Sequence, residues 1–442
     1  MKNYGTIYLK NKYFWGVSMA SNTGKMGFWS VFFLGVNGII GSGIFLLPGN
    51  MYKLTGNNSI WLVALAGLSA LTIALCFADM ASRFTGNGAA WLYTYNAFGR
   101  FPGFEIGFFS WIQGVITIAA EVAAFLSVLR EVVPAANSVM VYNIIGTLLI
   151  VGLAVLNLLG PKFSDWSDNV ATVMKMLVLA VFIIIGIWSI KSINFSKSGV
   201  YPIGNYNNAF NIIFYMFSGF SFLPIAASDM KNSEKNLPRA LISVIITVTA
   251  IYALTQFVAI GVLGTKIMSS NTPLALALAV ALGPVGKLLI VGGMLISILG
   301  VAISVSFSTP FVASSLANEH QLLPSILGIK TKEGTPWVAI AITSGLSILL
   351  LLSGSYLFLV SSVVVVSLIQ YIATSLATIK IQRVDKSDKD GWRLPGGMTI
   401  PIIAILLCLY IFSGITFKVV IFGIVSALLG IILYALDDHK AK

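Results

Sequence analysis

The chain has 442 residues, of which 57% are apolar and 10% charged, and its mean hydropathy of +0.92 lies far from that of a soluble globular domain. The net charge of +12 would suit a nucleic-acid partner, but the basic residues are scattered through short loops between apolar runs, so a lipid bilayer is the solvent and nucleic acid is not the partner. Cys76 and Cys408 lie far apart inside apolar runs, and His320 and His439 lie in polar segments, so neither a disulfide framework nor a metal site is expected.

Residues 1–27 carry Lys2, Lys10, Lys12 and Lys25 but no short apolar core with a small-residue cleavage site, and they read as a cytoplasmic segment ahead of the first span. Apolar length and breaker residues then predict spans at 28–54, 59–82, 104–132, 139–159, 167–190 and 206–228. A second set follows at 239–263, 286–317, 336–352, 356–379, 400–414 and 417–436. The apolar stretch 272–282 is too short to cross a bilayer and is expected to form a half-buried external helix.

With the N-terminus inside, the loops that face the cytoplasm hold 19 Lys and Arg, and the opposite side holds seven: Lys53, Arg130, Lys191, Lys197, Lys266, Lys287 and Lys418. This asymmetry predicts a multi-pass protein of the inner membrane with both termini cytoplasmic. Lys175 belongs to neither set, because it falls about ten residues into the fifth span.

Two spans are interrupted near their middles. The first contains Gly38-Ile-Ile-Gly-Ser-Gly-Ile-Phe, and the sixth contains Ser218-Gly219 followed by Pro224. Paired breaks in the two halves of a membrane protein point to a transporter with its site near the midplane. At Gly41-Ser42-Gly43 an unwound turn would free amide N–H groups, and the following half-helix would present its positive dipole end to a carboxylate. The same residues also suit a small-residue packing face. In Tyr215-Met-Phe-Ser-Gly-Phe-Ser-Phe-Leu-Pro224 the freed carbonyls would accept from an ammonium group, whereas Phe220 and Phe222 taken singly read as ordinary aromatic packing.

Lys175 sits at the centre of a span, where a charge costs roughly 2.5–3.5 kcal/mol on insertion scales, so a function is expected of it. Glu121 lies mid-span in the third helix and should face the bundle interior. Its role is open between pairing with Lys175, meeting a substrate amine and carrying a proton. Asp79 and Glu105 lie near span ends and read as solvated or loop-pairing charges.

Several of these motifs together resemble the amino acid, polyamine and organocation permeases. Gly41-Ser-Gly-Ile-Phe45 resembles their first-span motif. Phe77-Ala-Asp-Met-Ala-Ser-Arg-Phe and Gly88-Ala-Ala-Trp-Leu-Tyr-Thr-Tyr-Asn-Ala-Phe-Gly99 resemble their acidic span end and aromatic Phe-Gly loop. Ser218-Gly219-Phe220 is similar to their sixth-span break, and Ala226-Ala-Ser-Asp-Met-Lys-Asn-Ser-Glu-Lys-Asn-Leu-Pro-Arg-Ala240 to their most specific loop signature. Arg393-Leu-Pro-Gly-Gly397 also fits.

The resemblance implies an all-α membrane protein of about twelve helices with a leucine-transporter-like five-plus-five inverted repeat, 28–190 and 206–379. Two added helices at 400–436 and a cytoplasmic tail at 437–442 would complete it. It implies that Ile39, Gly41, Ser42 and Gly43 hold the substrate carboxylate, that Tyr215, Met216, Ser218 and Gly219 meet the amine, and that the Lys175 ammonium stands in place of a sodium ion. Many relatives carry Gly-Phe-Glu at the sixth-span break. Gly219-Phe220-Ser221 lacks that acid and any role it has.

The expected function is sodium-independent, alternating-access transport of an amino acid, driven by protons or by exchange, with Lys175 and Glu121 as coupling residues and no cofactor. Ser221, Ser304, Ser306, Ser308, Gln256 and Gln370 suggest a polar, uncharged pocket, while Glu121 leaves a cationic amino acid or polyamine antiporter open. A nutrient sensor on the same fold would need a signalling extension. A channel would show a ring-forming filter or a line of charge, and an enzyme a catalytic constellation within the spans.

Overall fold

In hydrocarbon every backbone N–H and C=O must be satisfied within the chain, and a helix does this inside a single segment. The computed structural model describes residues 26–84, 89–158, 162–196, 202–318, 321–332, 334–384 and 392–438, and its only strand-like pairing among them is one bridge between Met26 and Met230. The basic head, Gly88, His320, His439, part of the 380–393 loop and the end of the tail lie outside the described residues.

The first span is built from α1 (Phe28–Ile39), α2 (Gly43–Leu46) and α3 (Pro48–Thr55), with Ile40, Gly41 and Ser42 between the first two. The chain continues through α4 (Ser59–Arg83), α5 (Ala89–Phe98), α6 (Arg100–Leu129), α7 (Val139–Leu158) and α8 (Lys162–Trp188). The sixth span begins as α9 (Ile203–Tyr215) and resumes as a 3-10 helix, Ser218–Asp229. Then come α10 (Ser233–Leu263), α11 (Pro273–Asn318), α12 (Trp337–Ser353), α13 (Tyr356–Val384), α14 (Thr399–Ser413) and α15 (Phe417–Asp438). Eight helical stretches among the described residues are long and apolar enough to cross a membrane, and α1, α12 and α14 are shorter apolar helices.

Two local features go beyond the expected spans. The loop after α4 carries a helix of its own, α5, packed along α6. The segment expected to stand apart from the spans forms its own helix at the start of α11, which ends at Gly283 with non-helical φ 69° and ψ −156° before the long span begins at Pro284. Glycine is required at that turn because the left-handed region disfavours any residue with a Cβ.

Burial separates core helices from lipid-facing ones. In the stretch that crosses, 72% of the α6 window is buried but only 17% of the α7 window, so α6 lies inside the bundle and α7 at its rim. The outer faces of α7, α14 and α15 expose Leu148, Val155, Leu406, Leu409, Ile424 and Leu428, which suits contact with acyl chains.

Two charged residues depart from their simplest expectation. Asp79 is fully buried, pairing with Arg83 Nε at 3.3 Å and accepting from Gln382 Nε2 at 3.0 Å, so it ties α4 to α13 and is not solvated. Glu105 is half-buried against Gly430 of α15, with Oε1 lacking a hydrogen-bond partner. Lys287 pairs with Glu131 at 2.8 Å where α11 meets the end of α6.

Candidate functional site

The break in the first span follows from two glycines around a serine. Ile40 leaves the helix with extended backbone (φ −76°, ψ 91°), Gly41 N–H donates to Ile39 O at 3.0 Å, and Ser42 O accepts the first bonds of α2 from Phe45 and Leu46. The sixth-span break lies directly against it. A Cβ on Gly219 would fall on the Gly38 carbonyl, and one on Gly43 would lie 2.8 Å from Met216 Cγ, so the two breaks touch where only glycine fits. Where the first span begins and the sixth ends, Lys231 N–H donates to Met26 O at 2.9 Å.

Side chains from surrounding helices satisfy the freed backbone groups. Lys175, fully buried on α8, donates from Nζ to Ile40 O at 2.8 Å and Asn37 O at 3.0 Å. Tyr252 on α10 places its hydroxyl between Ile39 O at 3.1 Å and Met216 O at 3.0 Å, bridging both breaks. Tyr371 on α13 donates to Ser218 O at 3.0 Å, and Ser218 Oγ donates to Tyr215 O at 2.8 Å. These six carbonyls come from one short stretch of each span, 37–40 and 215–218, consistent with the high cost of unmet polar groups in lipid.

Glu121 faces the interior of the bundle, and its carboxylate sits on the donors of the first break. Oε1 accepts from Ser42 Oγ at 2.9 Å, Ser42 N–H at 3.4 Å and Tyr215 OH at 3.3 Å, while Oε2 is buried without a hydrogen-bond partner. Ser42 Oγ also contacts Tyr356 OH at 3.1 Å, which joins the start of α13 to the break. Because Ser42 Oγ gives its hydrogen to Glu121, Tyr356 is the donor in that contact.

Beside the breaks lies a cavity of about 100 Å³. Ile39, Gly41, Gly43, Tyr215, Met216, Ser218, Gly219 and Glu121 line it, so eight residues proposed from three separate spans meet at one place. Ser42 is fully buried just behind the lining, and Lys175 lies outside it, against α1. Of the polar residues expected in a pocket, Ser304 and Ser308 line the cavity. Ser306 and Gln256 do not: Ser306 is tied to Asn157, and Gln256 to Ser59 and Pro48. Phe220 stacks on Tyr371 at 5.1 Å as ordinary packing, whereas Phe222 lines the cavity.

Several lining residues lie outside the sequence expectation, namely Ser110, Gln113, Gly114 and Thr117 on α6 and Thr309 on α11. A usable signal existed for the first four. With Glu121 they follow one another at spacings of three, one, three and four, a polar stripe along one face of an otherwise apolar membrane helix. Tyr252, Tyr356 and Tyr371 carry no such signal, because only the tertiary fold brings them to the breaks.

Two broken helices that meet over a cavity inside an all-α membrane bundle define a membrane transporter. The chain belongs to the amino acid permease family, whose model matches residues 26–433. It is 33% identical over 389 residues to an uncharacterised transporter of Mycobacterium tuberculosis, covering 81% of this chain and 80% of that protein. It is 26% identical over 382 residues to the serine/threonine exchanger SteT of Bacillus subtilis, with 83% and 85% covered. Identity to the branched-chain amino acid permease BcaP of the same organism is 24% over 440 residues, with 94% and 93% covered.

Proposed function

We propose that the protein moves a zwitterionic amino acid across the membrane by alternating access, without sodium, through a site formed by the two breaks. The observation that carries this reading is Lys175, whose buried ammonium lies on the carbonyls of Ile40 and Asn37 at the first break. A cation covalently held there replaces one that would otherwise have to arrive with the substrate. The substrate carboxylate goes to the Ser42-Gly43 turn, at the start of α2, and its ammonium to the carbonyls of the sixth-span break.

Glu121 supplies a proton to this cycle. Its carboxylate already holds the Ser42 N–H and Oγ, so an incoming carboxylate competes for the same donors, and two carboxylates on one donor set are accommodated when one carries a proton. Proton uptake with substrate gives symport. A second reading, strict exchange, is favoured by the relative named a serine/threonine exchanger, and it requires only that Lys175 stay charged as a tether.

The experiment is radiolabelled amino-acid uptake into proteoliposomes, with an imposed pH gradient in one arm and internal unlabelled amino acid in the other. Accumulation driven by the gradient into empty vesicles supports symport, and uptake only against internal substrate supports exchange. If no amino acid enters in either arm, the proposal fails. Orientation follows the basic-residue asymmetry, with both termini placed in the cytoplasm.

A further inference from the structure

The breaks account for recognition of an α-amino acid backbone, but the far wall of the cavity, on α6 and α11, has a chemistry of its own. It is built on Gln113, which is 1% exposed and lines the cavity. Gln370 on α13 fixes its orientation. Gln370 Nε2 lies 3.3 Å from the Val366 carbonyl, which can only accept, so this atom is the amide nitrogen and donates to Gln113 Oε1 at 2.6 Å. Ser110 Oγ lies 2.8 Å from Gln370 Oε1 and 2.9 Å from Ile106 O and shares its one hydrogen between them. With its oxygen held by Gln370, Gln113 has its amide N–H donors left for the cavity.

The neighbouring hydroxyls offer the opposite polarity. Thr117 donates to Gln113 O at 2.8 Å, Thr309 to Val305 O at 2.7 Å and Ser308 to Val305 O at 3.2 Å. Their hydrogens are committed to their own helices and their lone pairs remain as acceptors. Glu121 lines the same cavity one turn along α6 from Thr117, where its Oε1 is engaged by Ser42 and Tyr215 at the break; among the described residues no other carboxylate or ammonium lines the cavity. The wall therefore presents a fixed donor and several acceptors set among the apolar Val301, Val305 and Val312 of α11, in a cavity of about 100 Å³.

We infer that the wall around Gln113 is the side-chain subsite and that it selects amino acids with a small uncharged side chain bearing a hydroxyl or a carboxamide. This rests on the amino acid reading above. A purely apolar side chain there would leave the Gln113 N–H groups and the hydroxyl lone pairs without partners, and buried groups left unpaired are what make hydrogen-bonding sites reject apolar isosteres. An anionic side chain would find no counter-charge on this wall, and a cationic one would have to draw the Glu121 carboxylate away from Ser42 and Tyr215.

The test uses the purified full chain in proteoliposomes with two isosteres, radiolabelled threonine and radiolabelled valine. The expected kcat/KM ratio is at least tenfold in favour of threonine, and it falls toward one in Gln113→Leu. Ser308→Ala, which removes a single oxygen, gives an intermediate ratio and keeps the test decisive if Gln113→Leu fails to fold. Equal or better transport of valine by the wild type, or an unchanged ratio in both variants, overturns this inference alone. Absence of uptake for any amino acid overturns the amino acid reading and this inference with it.

Discussion

Lys175 and Glu121 are the two ionisable residues whose burial at the first break demands a reason. Removing the ammonium in Lys175→Ala leaves the Asn37 and Ile40 carbonyls without their donor, at a cost of about 1–3 kcal/mol for each group left unmet. We expect such a protein to insert and stay monodisperse at low temperature while its uptake falls at least tenfold. Lys287→Ala is the matched control, because its partner Glu131 is partly exposed and such pairs contribute about 0–1 kcal/mol. Its uptake should stay within twofold of wild type. Glu121→Gln keeps the size of the side chain and removes its charge, so the wild-type fall in uptake as pH rises from 5 to 8 should flatten in the variant. A pH profile of initial rates checks this, and a variant that retains the wild-type slope would remove Glu121 from the proton path.

At the scale of elements, the contact between the two breaks is the feature most sensitive to bulk. In Gly43→Val the Cβ lies 2.8 Å from Met216 Cγ and 3.3 Å from Tyr215 Cδ1, and in Gly219→Ala the Cβ meets the Gly38 carbonyl. Backbone cannot yield as a flexible side chain does, so Gly219→Ala should be the more damaging despite the smaller substitution. Calorimetric binding of substrate to the detergent-solubilised variants checks the order. Tyr252→Phe takes away the one hydroxyl shared by Ile39 O and Met216 O. It should lower the maximal rate more than it changes the dissociation constant, because it loosens the link between the two broken helices that the proposed cycle moves.

These elements also show what was legible in the chain beforehand. Apolar length marked the spans because hydrocarbon admits little else, and Gly41-Ser42-Gly43 and Lys175 were conspicuous because each violates the ordinary rules of a membrane helix. Gln113 was missed although the polar stripe on α6 was readable. Its partner Gln370 comes from a helix more than 250 residues further on, and pairing at that distance is a property of the fold. Gly283 separates the 272–282 segment from the span that follows, as composition had kept them apart, because its non-helical backbone ends one helix before the next begins.

For the whole molecule, orientation is the simplest consequence to examine. Asn232 and Ser196 are both exposed and lie at opposite ends of the bundle in the proposed topology, and the native Cys76 and Cys408 are buried. A cysteine at Ser196 should react with an impermeant maleimide added outside intact cells, and one at Asn232 only after lysis. The reverse pattern would invert the topology.

The central claim is that the buried Lys175 ammonium takes the place of a transported cation at the first break. The most direct measurement is initial-rate amino acid uptake into proteoliposomes with sodium replaced throughout by choline, for the wild type and for Lys175→Ala. The predicted result is a wild-type rate unchanged by the replacement and a variant at least tenfold slower in both media. A wild-type rate that collapses in choline, or a Lys175→Ala protein as fast as the wild type, would contradict it.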